Sequence, residues 1–104
     1  MKLRVTDVNA GDEITLRTQF SNYSFRVTDP VQCRGFVSGG PLGNQQHEAC
    51  LAEAILPESS EGGEPSRLET DYRAVFLIAR NGLRTLTTSI ITEITVAQTP
   101  AEVC

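Results

Sequence analysis

The stretch ITLRTQFSNYSFRVTD, residues 14–29, decides how the chain is read, because its apolar positions change parity halfway along. Ile14, Leu16, Thr18 and Phe20 fall on even numbers, whereas Tyr23, Phe25 and Val27 fall on odd ones. Side chains alternate between the faces of a strand, so a parity change is what a reversal of chain direction at Ser21-Asn22 produces. A two-residue hairpin turn there pairs Phe20 with Tyr23, Thr18 with Phe25 and Leu16 with Val27, all on one face, which is the candidate core. The other face pairs Gln19 with Ser24, Thr15 with Thr28 and Arg17 with Arg26. The two arginines fall in a non-hydrogen-bonded pair, the kind in which side chains sit closer. Like charges in that position repel. Arg17 and Arg26 are therefore the candidate ligand-binding residues, a pair of guanidiniums able to clamp a phosphate or carboxylate. The competing reading has a third strand supplying an Asp or Glu, or the long side chains splaying into water.

Working outward, Leu3 and Val5 alternate with polar partners and "NAGDE" (9–13) supplies turn residues, a short strand and a bend. Past "DP" (29–30), Val31 to Ser38 reads as another strand, ended by "GGPLGN". "YRAVFLIA" (72–79) is a strongly apolar strand, and "RNGL" (80–83) suits a type I′ hairpin. In "RTLTTSIITEITV" (84–96) the apolar stripe changes sides, which predicts a bend or bulge near Ser89, as a small barrel needs at its corners. Two segments fit less simply. "QQHEACLAEAIL" (45–56) favours a short helix near 45–55 by propensity, with Asn44 as its cap and Pro57 as its stop. "PESSEGGEPSRLETD" (57–71) has the composition of an acidic, mobile loop.

The hairpin with Thr18, Ser21, Asn22, Tyr23 and Phe25, the turn Gly39-Gly40, and a closing strand with Thr88, Ser89, Ile90 and Ile94 resemble a pattern in short, uncharacterised bacterial β-rich proteins. This chain has Ile90 where such proteins often have proline. The resemblance implies a β-barrel, brings no established activity with it, and implies a strand over 49–56; the strand is preferred there to the helix.

At 104 residues the chain holds one hydrophobic core and not two, so 1–104 is read as a single domain. The expected fold is all-β, about six strands in a small, partly open barrel, SH3-like or similar. A net charge of −4 works against sequence-independent binding of nucleic acid, which needs clustered Lys and Arg. Cys33, Cys50 and Cys104 cannot all pair within the chain, "MKLRVTDVN" has no signal-like apolar run, and no stretch approaches a membrane span. A cytoplasmic protein with reduced thiols is expected. Cys33, His47 and Cys50 match no common zinc spacing, and the glutamates of 57–71 sit where an acid and a base are not held in place, so neither a metal, a cofactor nor an enzymatic activity is expected. The leading expectation is a non-enzymatic interaction or regulatory module, engaging a protein partner or a second copy through a sheet edge. The alternative is an RNA- or nucleotide-binding small barrel using Arg17, Arg26 and Arg34.

Overall fold

Alternating apolar and polar positions make strands of most of the chain, which the computed structural model describes over residues 2–55, 67–79 and 82–97. In order these are β1 (Lys2–Arg4), β2 (Glu13–Thr18), β3 (Asn22–Asp29), β4 (Arg34–Gly39), β5 (His47–Ile55), β6 (Arg67–Glu69), β7 (Arg73–Ala79), β8 (Leu83–Thr87) and β9 (Ile91–Ala97). Single turns of 3-10 helix cover Val5–Asp7 and Gly40–Leu42, and no α-helix occurs among the described residues. Seven strands form one antiparallel sheet in the order β8-β7-β5-β4-β3-β2-β9, and β1 pairs with β6 in a second, two-stranded sheet. The all-β expectation holds, but neither sheet closes into a barrel.

The reversal in residues 14–29 is present, but with a longer turn than the sequence suggests. Leu16 lies opposite Tyr23, Ile14 opposite Phe25 and Arg17 opposite Asn22, leaving Thr18–Ser21 as the connection. Thr18 closes it: its N–H and its hydroxyl both donate to Ser21 O, at 2.9 and 2.6 Å, and its Oγ1 accepts from Ser21 N–H at 3.0 Å. This slides the expected pairing by an even number of residues, so every side chain but one keeps its expected face. The exception is Phe20, which rides on the turn 82% exposed instead of entering the core.

Where propensity favours a helix, His47–Ile55 is a strand, β5, in the large sheet between β4 and β7. Its helical propensity is outweighed by two ladders, and its small Ala49 and larger Leu51 are both buried against the core. Of the acidic loop expected at 57–71, residues 57–66 lie outside the described residues, while Arg67–Glu69 is strand β6 and not loop. β7 and β8 are antiparallel neighbours with Ala79 opposite Leu83, and Gly82 takes φ +99°; Arg80 and Asn81, on which the expected turn falls, lie outside the described residues.

The expected bend near Ser89 is a break. The long last strand divides into β8 and β9, which occupy opposite edges of the large sheet although only Thr88–Ile90 separates them. Thr88 is fully buried at this corner. Its N–H donates to Ala74 O at 2.9 Å, its Oγ1 accepts from Ala74 N–H at 3.0 Å, and its hydroxyl donates to Ser89 O at 2.8 Å. Beyond it, Ile91 N–H donates to Tyr72 O and Ile91 O accepts from Asp71 N–H, both at 2.8 Å, while Gln19 N–H donates to Ile90 O at 3.2 Å. The corner therefore ties the start of β7 to the end of β2, curling the sheet around one core. Phe25 and Phe76 form the centre of that core, edge to face with ring centroids 5.1 Å apart. Val5, just after β1, and Leu68, in the middle of β6, are both fully buried and join it from the side of the small sheet.

Gly39 and Gly40 serve the core too. Gly39 has φ +102° and lies so close to β3 that a Cβ would sit 2.2 Å from Asn22 O; Gly40, at φ +52°, lies against the ring of Tyr23.

Candidate functional site

The register separates the two arginines that the sequence places side by side. Arg17 stands opposite Asn22 and Arg26 opposite Glu13, so the two are about 13 Å apart along the sheet. Each has an acidic neighbour on the outer face. Arg17 pairs in register with Glu93 of β9, and its guanidinium lies 3.3 Å from the Glu93 carboxylate. Glu13 faces Arg26, and Arg34 lies opposite Asp29 at the bulged end of the β3–β4 ladder. The carboxylate that a third strand supplies beside Arg17 is that of Glu93. Both partners of the Arg17 ion pair are more than half exposed, so it contributes little to stability. The close arginine clamp is not formed.

The thiols and the histidine do not assemble either. On β5, His47 points with Ala49 and Leu51 toward the core, whereas Cys50 lies on the outer face. His47 is opposite Val37, at the far end of β4 from Cys33. A Cys-His pair for nucleophilic chemistry is thus broken by the pleat of the strand. Cys33, with φ 57°, is buried and bonds weakly to Pro30 O at 3.7 Å, while Cys50 does the same to Gln32 O at 3.6 Å. Among the described residues no three His, Cys, Asp or Glu side chains gather as a metal site.

A different feature stands out at the edge of the large sheet. β8 pairs on one side with β7, and among the described residues no strand pairs with its other side. The Thr88 N–H that bonds Ala74 O continues the β7–β8 register, in which Val75 faces Thr87. Backbone groups alternate in direction along a strand, so the N–H and C=O groups of Leu83, Thr85 and Thr87 point away from β7, off the edge. Apolar surface lies beside that edge on both faces. On the outer side Cys50, Leu77, Ala79 and Leu83 line a groove of about 360 Å³ with Arg34 and Glu48 at its rim. Leu83 is 73% exposed. On the inner side Pro41, Leu42, Ile78 and Leu86 line a smaller cleft of about 160 Å³, with Arg84 and Thr85 beside it.

The pattern of residues 84–96 predicts one strand with a bend or bulge near Ser89, and such a strand keeps its neighbours. The open edge arises because the break at Thr88–Ile90 sends β9 to the opposite side of the sheet. The brevity of "LRTLT" between Asn81-Gly82 and Thr88-Ser89 is the one local sign of it. No family model, curated protein or solved structure matches the chain. Among the described residues no helix is long and apolar enough to cross a membrane.

Proposed function

We propose that the chain is a non-enzymatic interaction module, a small and partly open barrel that takes an extended segment of a partner protein along β8. The observation that carries this reading is the outward direction of the Leu83, Thr85 and Thr87 backbone groups, with apolar clefts on both faces of the same edge. A strand added there finds main-chain hydrogen bonds, and its alternate side chains meet the groove at Leu77 and Leu83 or the cleft at Leu42 and Leu86. Edges of this kind attract unwanted pairing too, and the shortness of β8 limits that hazard. The barrel description is supported by the corner at Thr88, which brings the first and last strands of the sheet within three residues of each other in the chain. Against the nucleic-acid alternative stand the separation of Arg17 from Arg26 and the acidic neighbours of Arg17, Arg26 and Arg34.

Thr85→Pro is the informative variant, because its N–H faces solvent and not β7, so its loss spares the internal ladder. Selection from a phage-displayed library of ten-residue peptides is expected to enrich apolar residues at alternate positions, and these peptides should bind the parent at least tenfold tighter than Thr85→Pro. Sedimentation of the parent alone distinguishes a second copy as the occupant: self-association that Thr85→Pro abolishes also supports the edge. Peptides and self-association that are both absent, or both indifferent to Thr85→Pro with its fold intact by circular dichroism, overturn the reading.

A further inference from the structure

The like-charged cross-strand pair expected of Arg17 and Arg26 occurs elsewhere. In the small sheet Arg4 lies directly opposite Arg67, Leu3 opposite Leu68 and Lys2 opposite Glu69. Strand pleating puts Leu3 and Leu68 on one face, where Leu68 is fully buried, and Lys2, Arg4 and Arg67 on the other together with Glu69. Lys2, Arg4 and Arg67, with Asp7, line a polar cleft of about 340 Å³. Two guanidiniums opposite one another in so short a ladder concentrate positive charge on this face, with the Glu69 carboxylate beside Arg67 as a counter-charge. In a chain of net charge −4, a cleft with three cations and one carboxylate in its lining is also a reversal of the prevailing sign.

Arg67 is held in place. Its Nη2 lies 3.2 Å from the Glu69 carboxylate, and its guanidinium sits 5.4 Å from the centroid of the Tyr72 ring. The side chain is only 19% exposed, and its Nε is buried without a hydrogen-bond partner. An immobilised guanidinium with an unspent donor has already lost the entropy that a flexible arginine gives up on binding.

We propose that Lys2, Arg4 and Arg67 form a binding site for a small phosphate monoester. The phosphoryl group sits between the two arginines, where its oxygens accept charge-assisted hydrogen bonds. Arg rather than Lys at the two facing positions suits bidentate contact with such an oxyanion. The cleft is large enough for more than the phosphoryl group, since small-molecule pockets begin at about 300 Å³, so an attached organic group is accommodated. Asp7 opposes full occupation by negative charge and leaves room for a hydroxyl of that organic group to donate to it. This site is independent of the β8 edge, and neither reading needs the other.

The test is a titration of the ¹⁵N-labelled protein, at constant ionic strength, with glycerol 3-phosphate, inorganic phosphate and sulfate. Saturable shifts confined to residues 2–7 and 67–72 are expected with glycerol 3-phosphate, and inorganic phosphate is expected to bind more weakly at the same amides. Arg4→Gln and Lys2→Gln should each weaken binding by tenfold or more, while Arg17→Gln, on the far sheet, leaves it unchanged. Arg67→Lys keeps a charge but not the bidentate fork or the Nε donor, and should also lose at least tenfold, whereas Arg67→Gln risks the small sheet itself. Absence of saturable shifts with either phosphate overturns the proposal. So does equal affinity in Arg4→Gln, or an equal response to sulfate, which would mark nonspecific charge attraction.

Discussion

Replacing Phe25 and Phe20 in turn tests the pairing on which the whole fold rests. The two-residue turn puts both rings inside; the observed four-residue turn buries Phe25 completely and leaves Phe20 82% exposed. A buried phenylalanine withdraws roughly 150–250 Å² from water, which is about 4–6 kcal/mol at ~25 cal/mol per Å². Residual compactness of the unfolded chain trims this by up to roughly 40%. Phe25→Ala should therefore cost about 3–5 kcal/mol, in line with other aromatic truncations in cores. Within that figure, about 0.5–1.5 kcal/mol belongs to the edge-to-face contact with Phe76 and should appear as the coupling term of a double-mutant cycle. Because a small domain has only about 5–15 kcal/mol in total, Phe25→Leu is the safer partner and should cost about 1–2 kcal/mol. Phe20→Ala should change stability by no more than about 0.5 kcal/mol. The measurement is urea unfolding followed by far-ultraviolet circular dichroism, since the chain has no tryptophan to report by fluorescence. A Phe20→Ala loss as large as that of Phe25→Leu would place Phe20 in the core and falsify the register.

Thr88→Val keeps the shape of the buried corner but strips Ala74 N–H of its acceptor, and a loss of about 1–3 kcal/mol is expected by the same unfolding assay; a neutral outcome would contradict the hydrogen bond. Gly35→Ala should cost about 1–3 kcal/mol, because its Cβ would lie 1.9 Å from Arg26 O and must force β3 and β4 apart; slowed exchange of the Val27 and Val37 amides in the variant would speak against that. Burial raises the Tyr23 phenol above its ordinary value of 10.0, so the unfolded chain releases this proton first as pH rises. Stability from Tyr23 is thus fully present below pH 10 and lost as pH climbs through the folded value. Ultraviolet titration should show one phenol ionising late, absent in Tyr23→Phe; a late phenol that survives the substitution refutes the assignment.

The class of fold and the facing of the side chains are legible in the residues alone. The parity change between Phe20 and Tyr23 requires a reversal somewhere between them, and a period of two places Ile14, Leu16, Tyr23 and Phe25 inside whichever even-numbered slip the ladder adopts. The side switch near Ser89 likewise marks the corner. Those features are local, set by the pleat of a single strand. The length of the turn was decided by Thr18, whose hydroxyl and N–H close it on Ser21. β5 became a strand because β4 and β7 supply it with two ladders, against the helical propensity of its own residues. The open edge at β8 and the pairing of Arg4 with Arg67 join segments far apart in the chain, and spacing within either segment carries no information about the other. Pattern along a strand is a near-neighbour property; which strand lies beside it is settled only when the common core is packed.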